Sequence, residues 1–283
     1  MRQKGVTVRL GVFLARYVFL LAAIPALATP AFATYAGSIV SSFYAEPITE
    51  PPWQYFPTAL TYGAGYVWVG YAGNQVMTKR RPISGSVVSS FYLGDKHSCI
   101  AWKETGNLIF ATASDFEYIF WASSTNGSVL GSFAAPPGTL FNALDYDDGN
   151  TGRPIWAAGN RALRFLWNLT STGTIVSSFS LASLPAYADS LAYDGDTPGG
   201  PFLFVGLDSA PAMIYVLNPR NASIISSFVA PTANYAVCDI SWDGRYLWIL
   251  ENPGFVGWVY RCVGHTVPAV VPASVGKIKA LFR

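Results

Sequence analysis

The sequence predicts an all-β protein built as a five-bladed β-propeller, and three observations support this prediction. Variants of one seven-residue pattern, Gly-Ser-x-x-Ser-Ser-Phe, recur five times, and their closing Phe residues stand 48, 42, 46 and 49 positions apart. Three further strand-like runs separate successive copies. The first and last repeats are incomplete in complementary ways. A period of about 46 residues is typical of four-stranded propeller blades.

The repeated pattern predicts one strand in each blade. Its copies occupy residues 37–43, 85–91, 127–133, 173–179 and 222–228. The runs between them are rich in β-branched and aromatic residues, as in Leu203-Phe204-Val205 and Leu247-Trp248-Ile249, which favours strands. Asp-Gly pairs such as Asp243-Gly244 fall between the first and second runs and are typical of hairpins.

The two chain ends are expected to complete one blade together. Residues 37–43 have no three runs before them, and the three runs that end near Cys262 have no copy of the pattern after them. Joining these pieces closes the ring at five blades and leaves no large open edge. Aromatic side chains at repeating positions are therefore expected to pack between blades before any of them stacks on a ligand.

The repeats also resemble a known family. Tyr246-Leu247-Trp248-Ile249 follows Trp242-Asp243-Gly244, and ends such as Asn218-Pro219 precede the Ser-Ser-Phe pattern. Over about residues 35–265 the chain is similar to secreted prokaryotic propellers of the YVTN/NHL-like repeat type. The resemblance implies the fold; such repeats serve as scaffolds for unrelated tasks.

Three segments are predicted along the chain: a signal peptide over 1–33, the propeller over 34–265 and a C-terminal tail over 266–283. The leader has basic residues, an apolar run from Tyr17 to about Ala28, and Ala31-Phe32-Ala33 as a cleavage site. The alternative is that the leader stays attached as a membrane anchor, although its apolar run is shorter than a membrane span, which needs about 20 residues. We expect a protein that is secreted or at the cell surface, with no membrane span in the mature chain.

Charge and cysteine content narrow the possible partners. Four of the 18 Lys and Arg fall in the leader, which contains no acid, so the mature chain carries 14 basic and 16 acidic residues. This balance argues against nucleic acid as a binding partner.

Three cysteines permit one disulfide and one free thiol, or no disulfide, and the simplest interpretation is that all three are small buried side chains. We expect no metal and no cofactor, because no Cys/His spacing fits a zinc site and no phosphate-loop motif occurs.

Candidate binding residues are expected at the mouth of the central channel where the innermost strands begin. They are Asp189, Asp239, Asn142 and His97. The two acids could perform acid/base chemistry or bind calcium, although aspartates hydrogen-bonded at strand ends are the simpler interpretation. His265 is expected to be an exposed loop residue. Sequons at Asn126, Asn168 and Asn221 are candidate glycosylation sites at exposed hairpins.

These features favour a non-catalytic extracellular module that binds protein, most simply itself, as an oligomer or filament. The uncharged fourth strands and the apolar tail residues Ile278, Leu281 and Phe282 support this interpretation. Two alternatives stay open. One is a propeller lectin that binds glycans on aromatic side chains, and the other is a hydrolase or lyase that uses Asp189 and Asp239.

Overall fold

The computed structural model describes residues 36–265 apart from 51–52, 72, 95–96, 114–117, 136–140, 160–163, 234–235 and 253–256. Within this part the chain is all β, with 22 strands in five four-stranded antiparallel sheets and one two-stranded hairpin. No helix in these ranges combines the length and the apolar composition that crossing a membrane requires. The predicted signal peptide and tail, including Ile278, Leu281 and Phe282, lie outside the described residues.

Each blade is a meander in which the first strand is innermost. Blade 1 contains β4 (Ala59–Gly63), β5 (Tyr66–Tyr71), β6 (Val76–Arg80) and β7 (Val87–Tyr92). Blade 2 contains β8 (His97–Lys103), β9 (Leu108–Ala113), β10 (Tyr118–Ser123) and β11 (Val129–Ala134). Blade 3 contains β12 (Phe141–Tyr146), β13 (Ile155–Gly159), β14 (Phe165–Leu169) and β15 (Ile175–Ser180). Blade 4 contains β16 (Ala188–Asp194), β17 (Phe202–Leu207), β18 (Met213–Leu217) and β19 (Ile224–Val229).

Blade 5 is assembled from both ends of the propeller, which confirms the predicted closure. It contains β20 (Val237–Trp242), β21 (Leu247–Glu251), β22 (Gly257–Cys262) and, as its outermost strand, β1 (Ile39–Ala45). Phe43 of β1 lies opposite Val259 of β22 in an antiparallel register. The remaining strands, β2 (Ile48–Glu50) and β3 (Trp53–Tyr55), form the small hairpin that leads from β1 into blade 1.

The innermost strands surround a central channel. Strands β4, β8, β12, β16 and β20 each contact the next one in the series, and β20 contacts β4. Because each of these strands pairs with only one neighbour in its own sheet, its other edge presents backbone N–H and C=O groups to the channel. The polar side chains that satisfy those groups define the chemistry of the channel.

Aromatic pairs join every blade to the one before it. In each pair the last aromatic residue of an innermost strand lies close to an aromatic residue on the second strand of the preceding blade. The pairs are Tyr62–Trp248, Trp102–Trp68, Tyr146–Phe110, Tyr193–Trp156 and Trp242–Phe204, with ring centroids 4.9–5.9 Å apart. The expectation that repeated aromatic residues pack between blades is confirmed. Such pairs each contribute about 0.5–1.5 kcal/mol beyond the area that they bury.

The first residue of the repeated pattern has a left-handed backbone in all five copies. Gly37, Gly85, Gly127 and Gly173 have φ of +67° to +86°, and Ala222 has φ of 55°. Glycine adopts this conformation without strain. Glycine also avoids a steric clash at this position, because a Cβ on Gly85 would lie only 2.4 Å from the Phe43 ring of the preceding blade. The initial glycine and the closing phenylalanine of the pattern therefore meet across blade interfaces.

A β-bulge shapes the outermost strand of each blade. In blade 1 the register shifts where Val87 pairs with Arg80, so Val88 has no partner of its own. The same shift occurs in the other four blades. As a result the two adjacent apolar residues of each copy both face outward, instead of alternating between core and solvent.

All three cysteines are free thiols, and Cys99 and Cys262 are buried. Burial raises the pKa of Cys238 and of Cys262 to about 12 and raises that of Cys99 well above its usual range. Thiols with such high pKa values are poor nucleophiles at neutral pH. The expectation that the cysteines are small buried side chains fits Cys99 and Cys262 best.

Candidate functional site

At the end of the channel where the innermost strands begin, the predicted residues lie in different surroundings. Asn142 donates a hydrogen bond from Nδ2 to Oδ1 of Asp189 at 3.4 Å, which joins blades 3 and 4. His97 is fully buried against blade 1, where a Cβ on Gly70 would lie 2.3 Å from its Nε2 atom. The channel therefore brings Asn142 and Asp189 together and places His97 in a packed position.

Asp239 crosses the channel from blade 5 and is completely buried. Its Oδ2 atom accepts hydrogen bonds from the backbone N–H of Leu60 at 2.8 Å and of Ile100 at 3.4 Å, and Oδ1 accepts from Ile240 at 3.0 Å. Burial raises its pKa well above the usual range, although these three N–H groups oppose the shift. Asp239 thus satisfies the free edges of blades 1, 2 and 5.

Asp189 and Asp239 hold positions one residue apart in the repeat. Asp189 lies at the bulge of β16, where the register shifts between Ala188 and Ser190, whereas Asp239 pairs with Leu250 just after the bulge of β20. Both carboxylates lie near enough to Cys99 and Cys238 to contribute to the raised pKa of those thiols. Ligand binding at Asp189, Asp239, Asn142 and His97 stays a prediction.

A second polar layer lies further along the channel. Asp145 of blade 3 accepts a short hydrogen bond from the backbone N–H of Tyr193 in blade 4. The Ser241 hydroxyl of blade 5 accepts one from the N–H of Tyr62 in blade 1 at 3.0 Å, and it lies 3.4 Å from the Thr61 hydroxyl. Burial raises the pKa of Asp145 to about 7. This layer forms the floor of the cavity described next.

A cavity of about 600 Å³ opens at the end of the channel where the innermost strands finish. All five blades contribute to this cavity, which we call the mouth. Each blade supplies the last aromatic residue of its innermost strand: Tyr62, Trp102, Tyr146, Tyr193 and Trp242. Six carboxylic acids also line it: Glu104, Asp145, Asp147, Asp148, Asp196 and Asp243.

Several of these acids hold the turns that frame the mouth. Asp148 accepts a hydrogen bond from the backbone N–H of Glu104 at 2.6 Å, which links blades 3 and 2. Asp243 accepts from the indole N–H of Trp248 at 2.9 Å and lies 3.8 Å from Nε of Arg261. Asp147 is half-buried, and both burial and the neighbouring charges of Asp148 and Asp196 raise its pKa. The mouth therefore concentrates negative charge on a partly rigid frame.

His265 is not the exposed loop residue that the sequence suggested. Its Nε2 atom lies 2.7 Å from Oδ2 of Asp194, which is buried at the end of β16. Its ring packs against Phe202, Phe204 and Trp242, with centroids 4.5, 4.9 and 5.4 Å away. Burial tends to raise the pKa of Asp194, but hydrogen bonds from His265 and Thr197 outweigh it and lower the pKa. This contact fastens the chain after β22 to blade 4.

The three sequons differ in accessibility. Asn126 and Asn221 lie in exposed turns, where their Oδ1 atoms accept hydrogen bonds from the N–H of Ser128 and Ser223. Asn168 lies within β14, is completely buried, and donates to the carbonyl oxygens of Arg153 and Ile155. A glycan could reach the first two in the folded protein but not Asn168.

Sequence reasoning placed the candidate site at the opposite end of the channel from the mouth. One signal could have pointed to the mouth: the first strand-like run of every repeat ends in Tyr or Trp, and an acid follows within two residues in blades 2 to 5. The ends of innermost strands converge in a propeller. Five aromatic residues and several acids are thereby brought to one rim.

Comparison with known proteins supports the architecture. No protein-family model matches the chain, and no curated protein sequence does. A glutaminyl cyclase from Myxococcus xanthus has a similar structure, with a TM-score of 0.57 at 10% identity over 81% of this chain and 98% of that one. A virginiamycin B lyase from Staphylococcus aureus gives a TM-score of 0.48 at 17% identity over 75% of this chain and 68% of that one. At 10% identity, the similarity to the glutaminyl cyclase shows a shared fold and nothing about function. The chain is a five-bladed β-propeller closed by its N-terminal strand.

Proposed function

We propose that this protein is a secreted, non-catalytic interaction module that associates with further copies of itself through the outermost strands of its blades. One observation carries the proposal. All five outermost strands lack charged residues, and each exposes two adjacent apolar side chains. Secretion rests on the leader predicted at residues 1–33, and the resemblance to YVTN/NHL-like repeats belongs to the same proposal.

The exposed pairs form a belt around the propeller. They are Ile39–Val40, Val87–Val88, Val129–Leu130, Ile175–Val176 and Ile224–Ile225, with 44–56% of each residue accessible. Single exposed apolar residues are common on proteins, but a feature repeated in five blades is a systematic property of the surface. Removing such side chains from water contributes about 25 cal/mol per Å² of apolar area.

A second copy is the occupant that this belt fits best. Strands with nearly the same sequence and no charge can meet without electrostatic repulsion, as in a symmetric contact between equal surfaces. Natural edge strands are commonly protected from pairing by Lys, Pro or bulges, and here the bulges are present but the charges are not. We therefore expect side chains of the belt to meet side chains of another copy, rather than a continuous sheet across the two.

The test compares the mass of three forms of the mature chain, residues 34–283, by light scattering. The unaltered chain should form oligomers, and a variant with Lys at positions 40, 88, 130, 176 and 225 should be monomeric. Ile83→Lys is the matched control, since Ile83 is 82% exposed but lies outside the outermost strands. A monomeric unaltered chain, or an oligomer that survives the five substitutions, would overturn the proposal.

A chain that ends at residue 265 separates the belt from the tail. If that truncation alone dissociates the oligomer, then Ile278, Leu281 and Phe282 hold the assembly, and the belt does not. If the truncated chain stays oligomeric, the belt is sufficient. Both results concern the same self-association, but they assign it to different residues.

Carbohydrate binding is a second candidate, favoured by a groove of about 430 Å³ between blades 3 and 4. Trp156, Phe179 and Tyr193 line it together with Arg153, a combination of aromatic and hydrogen-bonding groups that suits a sugar. Titration with neutral and acidic oligosaccharides should change the tryptophan fluorescence. No change in fluorescence, together with no binding on a glycan array, would exclude carbohydrate binding.

A further inference from the structure

The mouth has the size and lining of a small-molecule site, independent of the outer belt. Its volume of about 600 Å³ lies within the usual range for ligand cavities, about 300–1,000 Å³. Five aromatic rings, one from each blade, contribute to its wall. Because each ring also packs on the preceding blade, the wall is held in place before any ligand arrives.

The charge of the mouth favours a cation. Six carboxylic acids line it, and no Lys or Arg occurs among the described residues of the lining. The nearby Arg261 lies over the Tyr246 ring, 3.9 Å from its centroid, and its Nε atom is 3.8 Å from Asp243, so it offsets the charge of that one acid and leaves five others. Aromatic rings attract cations through their negative faces. Carboxylates in a concave site add to that attraction.

The floor supplies an independent sign of a ligand. Thr61 and Ser241 line the mouth and are only 1% and 4% exposed. Their hydroxyls lie 3.4 Å apart, so one of them donates to the other, while Ser241 also accepts from the N–H of Tyr62. Two hydroxyl protons are available and the pair uses one. The other has no acceptor among the described residues, so a buried donor is left for a ligand atom.

The arrangement suits an organic cation better than a metal ion. In the described ranges, no three His, Cys, Asp or Glu side chains stand close enough together to hold a metal. The carboxylates come instead from blades 2, 3, 4 and 5 and are spread around the wall. A larger cation could contact several rings and carboxylates at once.

We propose that the mouth binds a small organic amine or quaternary ammonium compound that carries a hydrogen-bond acceptor near its charged nitrogen. The nitrogen lies among the aromatic rings and carboxylates, and the acceptor takes the free hydroxyl proton of the Thr61–Ser241 pair. Asp147 and Asp196 supply charge at the rim. Asp196 is exposed, so its charge can change with little effect on packing.

The probe is choline, titrated calorimetrically into the mature chain at constant ionic strength. Choline should bind more tightly than tetramethylammonium, which lacks the hydroxyl acceptor. Its uncharged carbon analogue 3,3-dimethylbutan-1-ol should not bind. Asp196→Asn and Asp147→Asn should each weaken choline binding about threefold to tenfold, as expected for losing one nearby charge at partial solvent exposure.

Asp208→Asn is the matched control, because it removes the same charge outside the mouth and should leave the affinity unchanged. Circular dichroism of each variant verifies that it is folded. Equal binding of the uncharged analogue, no binding of choline or ethanolamine, or displacement of choline by low concentrations of calcium would each overturn the proposal. None of these results depends on whether the protein self-associates.

Discussion

The sharpest prediction concerns two glycines that share a backbone conformation but differ in their surroundings. Gly65 has φ of +78° and Gly127 has φ of +75°. A Cβ on Gly65 would meet no atom within 4 Å, whereas a Cβ on Gly127 would lie 1.9 Å from the carbonyl oxygen of Tyr92 and 2.6 Å from the Phe91 ring. Replacing each by alanine therefore separates backbone strain from steric conflict at the blade interface.

The expected costs differ severalfold. Left-handed backbone costs a residue with a Cβ about 1–2 kcal/mol. Alanine recovers about 0.4–1 kcal/mol by restricting the unfolded chain, so Gly65→Ala should destabilise by about 1 kcal/mol. Gly127→Ala must also move a backbone carbonyl by more than an ångström, and overpacking of this kind adds about 1–3 kcal/mol. The total for Gly127→Ala is about 2–4 kcal/mol.

Thermal unfolding followed by circular dichroism measures the difference. At about 2–4 °C per kcal/mol for a domain of this size, Gly65→Ala should lower Tm by a few degrees and Gly127→Ala by roughly 5–15 °C. Ala222 shows that one repeat is already built around a Cβ at this position, since it is buried with φ of 55°. Equal Tm shifts for the two glycine variants would refute the steric argument and leave backbone strain as the whole effect.

Two further predictions concern the channel carboxylates. The pKa of Asp145 is raised to about 7, so between about pH 4 and 7 the folded protein keeps a proton that the unfolded chain has lost, and stability falls as pH rises. Asp145→Asn should remove this contribution, which is about 1.4 kcal/mol of unfolding free energy per pH unit in this window. The measurement is a set of urea titrations at several pH values, and the same pH dependence of the unfolding free energy in both proteins would contradict the raised pKa. Asp239→Ala leaves the N–H groups of Leu60 and Ile100 without acceptors and should lower the free energy of unfolding by about 2–5 kcal/mol. Asp239→Asn keeps an amide oxygen and should lower it less. Equal losses of unfolding free energy in the two variants would show that hydrogen bonding is not the role of Asp239.

The fold could be predicted because the information for it is local and repeated. Each copy of the pattern ends in Phe at a strand position, and each begins where a left-handed residue is needed, so period and composition were sufficient to count the blades. The closure of the ring could be predicted because the incomplete first and last repeats together make one complete blade. The bulges were not visible, since an extra residue in one strand shows only when its partner's register is known.

The channel could not be predicted in the same way. Asp239 was recognised as an acid near a strand start, but the groups that it satisfies, Leu60 and Ile100, lie 179 and 139 residues away in the sequence. His265 falls outside every repeat, so no periodicity indicated that it would reach Asp194. Contacts between side chains of one blade and backbone groups of another depend on how the ring closes, which no local pattern encodes.

The division between scaffold and site follows the repeat itself. Positions that are alike in all five blades, the initial small residue, the closing Phe and the aromatic end of each innermost strand, hold the blades together. The residue just before that aromatic end differs from blade to blade: Thr61, Ala101, Asp145, Ala192 and Ser241. Three of these are polar, and they form the floor of the mouth. Since this position makes no part of the aromatic pairs, its side chains can set what the channel binds while the ring that carries them stays the same.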